Sequence, residues 1–140
     1  MLDPWFITGF SDGEANFTYS RNGSSFGMYF GIKQREDNVK ILEQFYAFFR
    51  GIGTLYKSSG ARAHGFSRKN PYAYYRVTRI AELSSIVSHF DMYPLQSEKK
   101  RAAYQIWREM VIYKEKNYRN ARFEIMQGLA NKLSALNTKQ

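Results

Sequence analysis

Apolar residues along this chain recur with two alternating periods, and the points where one period gives way to the other mark its elements. Asp3-Pro4 ahead of Trp5-Phe6-Ile7-Thr8-Gly9-Phe10 predicts a short helix. A capping carboxylate opens it, together with a proline whose missing N–H costs nothing at that place, and Asp12-Gly13 closes it with a glycine free to turn left-handed. From Asn16 to Ser20 the period drops to two, which predicts a strand with Phe17 and Tyr19 facing a core and Asn16, Thr18 and Ser20 facing outward. The turn-forming run Arg21-Asn22-Gly23-Ser24-Ser25 leads to a partner strand over residues 28–34. There Met28, Phe30 and Ile32 share the core face, and Tyr29, Gly31 and Lys33 look outward.

Helical spacing returns with Val39, Ile41, Leu42, Phe45, Phe48 and Phe49, in a helix begun near Glu36-Asp37 and stopped before Gly51-Ile52-Gly53; the stripe Ile41, Leu42, Phe45, Phe48, Phe49 is read as core. A second hairpin follows, with strands over 54–57 and 73–78, Tyr74, Arg76 and Thr78 on one face and Tyr75 and Val77 on the other. The Gly/Ser/Arg/Lys-rich stretch from Ser58 to Asn70 joins them and is too polar to bury, so it is expected to be mobile or to touch a partner. Leu83, Ile86, Val87 and Phe90 define a third helix over 81–90, on whose surface His89 is expected to lie. Tyr93-Pro94-Leu95 breaks it. Ser97 is placed to cap a fourth helix with Ile106, Trp107, Met110 and Val111 on its apolar side, and a tail helix over 122–136 carries Phe123, Met126, Leu129, Ala130 and Leu133. The order helix, hairpin, helix, hairpin, helix, helix, tail helix predicts one α+β domain spanning residues 1–140.

Composition narrows the chemistry. A chain of 140 residues can bury roughly two thirds of its extended surface without covalent staples. It has no cysteine, which excludes disulfides and thiolate zinc sites, and its only histidines, His64 and His89, are too few for imidazole-rich nuclease chemistry. Carboxylates must carry any hydrolytic work. Lys+Arg 21 against Asp+Glu 12 gives a formal charge of +9, whose natural partner is a polyanion, although a ribosomal-type or membrane-surface protein shares that signature. No apolar run is long enough to span a membrane and no secretory signal opens the chain, so a soluble protein without a membrane partner is expected.

One stretch concentrates the chemistry: an apolar helix with Gly9 and Gly13 one turn apart, ending in Asp12-Gly13-Glu14. Glycines spaced by four bare the backbone on one face and let the helix approach a copy of itself closely, which would bring two Glu14 carboxylates together at the helix C-termini. In isolation the two acids read first as an ordinary helix stop with exposed carboxylates. Ile7, Thr8, Gly9, Phe10, Ser11, Asp12, Gly13, Glu14 and Ala15 stand at the nine positions of the LAGLIDADG motif, which the stretch resembles. Nearly the whole chain is similar to that family, from Pro4-Trp5 through the two hairpins each followed by a helix, Val77-Thr78-Arg79, and Tyr93-Pro94-Leu95 followed by Lys99. A difference is Ala15, where the family usually has glycine; its methyl is expected to constrain the backbone entering the first strand.

The resemblance implies an αββαββα fold with a saddle-shaped antiparallel sheet set in the DNA major groove, extra C-terminal helices, and a homodimer formed by one motif helix from each subunit. Thr8, Gly9 and Asp12 would then lie at the subunit interface, and two-fold symmetry would impose a palindromic or nearly palindromic target. It implies further that Glu14 and the carbonyl of Gly13 hold a divalent cation, Mg²⁺, that Asp12 supports the catalytic site without binding metal, and that Lys99, with Lys100 as the alternative, is the basic catalytic residue. Gln34 would position water at the periphery. The outward residues Asn16, Thr18, Ser20, Tyr29, Lys33, Tyr74, Arg76 and Thr78 would contact DNA, with Arg76 and Lys33 suited to guanine edges or phosphates and Asn16 to adenine; without the resemblance they read as a plain solvent face.

The function implied is that of an intron-encoded homing endonuclease making metal-dependent double-strand breaks. An RNA-binding intron maturase and a catalytically inactive DNA-binding regulator are the alternatives. The expected location is intracellular, in a mitochondrion, a chloroplast or a bacterial cytoplasm. For any polynucleotide partner, neutralising about six or more phosphates makes affinity fall on the order of 10³-fold from low to moderate salt, measurable by fluorescence anisotropy; a flat response excludes a nucleic-acid partner.

Overall fold

The computed structural model describes residues 2–57 and 71–138. Helix α1 (Pro4–Glu14) leads directly into strand β1 (Ala15–Asn22), which pairs with β2 (Ser25–Arg35). A single 3₁₀ turn (Glu36–Asn38) precedes α2 (Val39–Phe48); then come β3 (Thr54–Lys57), β4 (Tyr72–Val77), α3 (Ile80–Met92), α4 (Glu98–Lys116) and α5 (Phe123–Thr138). The expected stretch from Ser58 to Asn70 lies outside the described residues.

All strand pairs are antiparallel, and the sheet order is β1-β2-β4-β3, so β2 and β4 are its central strands. The period-two pattern sets the register. Phe17 faces Phe30 across the first ladder, and Ile32 faces Tyr75 across the second, so their side chains fall on one side of the sheet. Helices cover that side. Phe17 stands at the centre of an aromatic cluster, with ring centroids 5.2–5.4 Å from Phe30, Phe90, Tyr104 and Trp107. Trp107 is fully buried, and its indole N–H donates to the carbonyls of both Thr18 and Tyr29, at 3.0 and 3.1 Å. Helix α4 is thereby pinned beneath the β1–β2 ladder.

Two glycines of positive φ set sharp turns at the strand ends. Gly23 (φ 66°) begins the two-residue connection between β1 and β2. Gly53 (φ 82°) precedes β3, and there a Cβ would stand 2.7 Å from the carbonyl oxygen of Arg76 and 2.8 Å from Cγ2 of Val77.

Several local expectations differ from the structure. Gly13 lies inside α1 and is not among the residues with positive φ; the chain leaves the helix at Ala15 in ordinary extended geometry (φ −85°, ψ 156°), with the methyl fully buried in the core. The expected constraint at Ala15 is therefore absent. Ser97 stands at the N-cap of α4 without a side-chain capping bond; Asp12, delivered from α1, accepts instead from the backbone N–H groups of Gln96 and Ser97 just ahead of the helix. In the α2 stripe, Leu42, Phe45 and Phe49 are buried but Ile41 and Phe48 only partly so, because α2 covers the sheet from one end. Phe123 remains 38% exposed on α5, and Thr78 lies just beyond the end of β4.

His89 is the clearest correction. It is not on the helix surface but buried, between Phe48, Phe49, Phe90 and Tyr93, with its Nε2 3.0 Å from the hydroxyl of Thr8. The Thr8 hydroxyl donates to the carbonyl of Tyr93 at 2.7 Å, so the ring N–H must be the donor to Thr8. Helical periodicity assigned the right face to α3 at Leu83, Ile86 and Phe90 but gave no sign that α1 and α2 would close over the adjacent position. Burial holds the His89 pKa down at about 4, so the folded state prefers the neutral ring. Its contribution to stability is full above the ordinary histidine pKa near 6.5 and declines as pH falls toward about 4. Urea midpoints of wild type and His89→Gln should therefore converge between pH 7 and pH 5, and parallel curves would contradict a neutral buried ring.

Candidate active site and nucleic-acid interface

Helix α1 presents two faces of opposite kind. Ile7, Thr8 and Ser11 are buried against the core, whereas Trp5, Phe6, Gly9, Gly13 and Glu14 are exposed. Of the three residues expected at a subunit interface, Gly9 lies on the open face and Thr8 on the inner one, bonded to His89 and Tyr93. Asp12 lies between, its carboxylate accepting from the backbone N–H groups of Gln96 (2.7 Å) and Ser97 (3.2 Å). Gln96 and Ser97 are the two residues leading into α4, so Asp12 ties the end of α1 to the chain entering α4.

Glu14 is the last residue of α1 and is exposed at the edge of the open sheet face. A carboxylate at a helix C-terminus sits at the negative end of the dipole and needs compensation. Part of it comes from Gln34, whose Nε2 donates to Glu14 Oε1 at 2.8 Å and to the Lys33 carbonyl at 3.0 Å. Asn38 in the 3₁₀ turn donates to Gln34 Oε1 at 2.7 Å, which fixes the amide with its nitrogen toward Glu14. Lys100 supplies more. Its ammonium donates to the Ala15 carbonyl, and burial lowers its pKa from the ordinary value against the opposing pull of Asp12 and Glu14. Lys100, then, is the basic residue brought to this corner; Lys99 is exposed and borders an adjoining depression with Asp12, Gly13 and Ser97.

The donors at this corner are hard oxygens: the Glu14 carboxylate and the carbonyls that a helix end leaves over, among them that of Gly13, an exposed residue. That donor set fits Mg²⁺ better than a softer cation. Among the described residues, no group of three or more His, Cys, Asp or Glu side chains gathers as a metal site.

From Glu14 a depression runs across the open face, lined by Asn16, Thr18, Tyr29, Gly31, Tyr74, Lys100 and Asn137. The registers arrange this face in rows. Asn16, Gly31, Arg76 and Thr54 form one row, Lys33, Tyr74 and Tyr56 the next, and Arg35 and Tyr72 the one beyond. The Arg76 guanidinium carbon lies 4.4 Å from the Tyr29 ring centroid and 4.9 Å from that of Tyr74. Lys33 Nζ lies 4.2 Å above Tyr72, and Tyr74 stacks on Tyr56 at 5.7 Å. Each cation–π contact contributes about 0.5–1 kcal/mol at such exposed sites. Ser20 is exposed on the same face toward the hairpin end.

Tyr56, Tyr72, Asn38 and Asn137 escaped the sequence reading. The first two were visible as outward positions once register was known; Asn38 and Asn137 come to the site from a 3₁₀ turn and from α5, with no local signal.

A helix ending in an acid at the margin of a four-stranded antiparallel sheet, with a basic and tyrosine-rich open face and helices packed on the other, is the architecture of the LAGLIDADG endonucleases. The family model of that description matches residues 7–111, and the chain belongs to this family. It is 35% identical over 120 residues to a Podospora anserina protein described as an uncharacterized 50.9 kDa protein in ND4 intron 1; the match covers 79% of this chain and 24% of that one, so the chain spans about a quarter of its relative's length. Among solved structures, it is 29% identical to the LAGLIDADG meganuclease I-AabMI bound to uncleaved DNA (TM-score 0.75), a match covering 99% of this chain and 44% of that one. I-SmaMI bound to an uncleaved DNA target with calcium ions shares the fold at 22% identity (TM-score 0.79; 95% and 45% covered). So does the homing endonuclease I-TnaI at 22% identity (TM-score 0.77), with 98% of this chain and 95% of that one covered. No helix among the described residues is long and apolar enough to cross a membrane.

Replacing Asp12 by alanine removes the acceptor for two backbone N–H groups at the start of α4. A loss of about 0.5–2 kcal/mol in urea-unfolding free energy is expected; an unchanged value would show that the carboxylate does not hold α4.

Proposed function

We propose that this chain is a subunit of a site-specific DNA endonuclease, in which Glu14 and the Gly13 carbonyl hold Mg²⁺ and the open sheet face occupies the major groove. The observation that carries the proposal is the position of Glu14: exposed, held by Gln34, flanked by Lys100, and opening onto a groove edged with basic and tyrosine side chains. A bound Mg²⁺ would supply Lewis acidity, polarising the phosphodiester and stabilising charge on the departing 3′-oxygen. The chain's own residues do the rest. Gln34, oriented by Asn38, keeps the Glu14 carboxylate in place. Lys100 retains N–H donors beyond the one given to Ala15 and directs positive charge toward the phosphate. Asp12 positions the helix end and binds no metal. Asn16, Thr18, Ser20, Tyr29, Lys33, Tyr74, Arg76 and Thr78 form the surface that meets the bases and backbone.

A double-strand break needs a second such site. The open face of α1 suits self-association, since nothing lies within 4 Å of a Cβ built at Gly9 or Gly13 and the aromatic rings of Trp5 and Phe6 are about half exposed beside them. Two copies meeting there would set both Glu14 carboxylates against opposite strands of a palindromic or near-palindromic site.

Selection on a randomised palindromic library should yield a target cut on both strands with Mg²⁺ and not with EDTA. Glu14→Gln should lower cleavage at least on the order of a hundredfold while leaving target binding intact. Gly9→Leu, which has room in the isolated subunit, should shift the protein toward monomer in sedimentation experiments. Cleavage indifferent to Glu14 would overturn the site assignment, and preferential binding of structured intron RNA without DNA cleavage would make the chain a maturase.

A further inference from the structure

We infer that Arg76, held between Tyr29 and Tyr74 over Gly31, is a specificity-determining residue that reads one guanine in the inner part of each half-site. The inference rests on the proposed DNA-binding role of the sheet face.

Arg76 lies on a central strand, directly across from Gly31 on the other central strand. Since Gly31 has no side chain, the neighbouring rings close over that position: a Cβ there would be 3.5 Å from Tyr74 Cε1 and 3.8 Å from Tyr29 Cδ2. The guanidinium is bracketed by these two rings, and its Nε is buried without a hydrogen-bond partner. None of the ion pairs among the described residues involves Arg76, so no carboxylate among them claims it.

These features favour a base over a phosphate. Phosphate contacts are made by flexible cations along the walls of a groove, whereas a cation fixed at the middle of the sheet faces the groove floor, where base edges are displayed. With Nε enclosed, the terminal nitrogens, held in part by Tyr74, are the donors that would meet a base, and their spacing matches O6 and N7 of guanine. Restricting the arginine's rotamers beforehand also lessens the entropy lost when it docks. The row that holds Arg76 begins at Asn16, two residues after Glu14, so the base read lies toward the cleavage position.

Binding selection from randomised duplexes in EDTA tests this with wild type, Arg76→Gln, Arg76→Lys, and ring-removing and ring-keeping variants at both tyrosines. Wild type should enrich guanine at one inner position per half-site. Arg76→Gln and Arg76→Lys should reduce that preference on the order of tenfold to a hundredfold, with other positions unchanged. Tyr29→Leu and Tyr74→Leu should weaken it although the arginine remains, and Tyr29→Phe and Tyr74→Phe should preserve it. If Arg76→Gln instead lowers affinity evenly across sequences and reduces the salt slope by about one, the residue contacts a phosphate and the inference fails alone. Binding to no duplex DNA would overturn the DNA-binding reading together with it.

Discussion

The direct junction between α1 and β1 governs the rest of this structure. Glu14 is the last helical residue and Ala15, fully buried, is the first of the strand, with no linker between them. A helix tied to a sheet through one buried residue cannot swing independently, so the exposed face of α1 and the open face of the sheet keep a fixed relation. Asp12 and Lys100 lock the same corner from α4, one by accepting from backbone N–H groups of the chain entering it and the other by donating to the Ala15 carbonyl. The proposed role of Glu14 against a polymer on the sheet would depend on this rigidity, because small displacements of a catalytic group are costly.

The sheet's two faces divide the labour. Beneath it, Phe17, Phe30, Phe90, Tyr104 and Trp107 pack closely, and the Trp107 indole fastens α4 to the strands carrying Thr18 and Tyr29. Truncating a ring in such a cluster costs about 3–5 kcal/mol. Above it, positive charge is spread over tyrosine rings, and among the described residues Lys33 and Arg76 have no carboxylate partner. A polyanion laid on that face meets cations already partly ordered.

The large share of positive charge and the scarcity of histidine by themselves limit the chemistry open to this chain. Within that limit, the nine residues from Ile7 to Ala15 and the double hairpin were enough to name the family, and residues 7–111 match its model. The LAGLIDADG structures that resemble this chain include proteins about twice its length and one of nearly equal length. The same helix-and-sheet unit therefore occurs in chains of either size, and pairing between copies is a question for the α1 face.

Periodicity by itself determined which residues of β1, β2 and β4 face inward, because successive side chains on a strand must alternate and a slip of one residue would bury Thr18 or Lys33 in place of Phe17 or Ile32. It also located every helix to within a few residues, since apolar positions three and four apart can share a buried face only in that conformation. Contacts between residues far apart in sequence were decided by tertiary packing alone. His89 is buried because α1 and α2 close over α3; Lys100 reaches Ala15, and Lys99 does not, because of the rotation of α4 about its axis; Asn38 holds Gln34 because the 3₁₀ turn brings them together. Local sequence fixes the period of an element, but the side chain that completes a site depends on how elements settle against one another, and that is a property of the packed core.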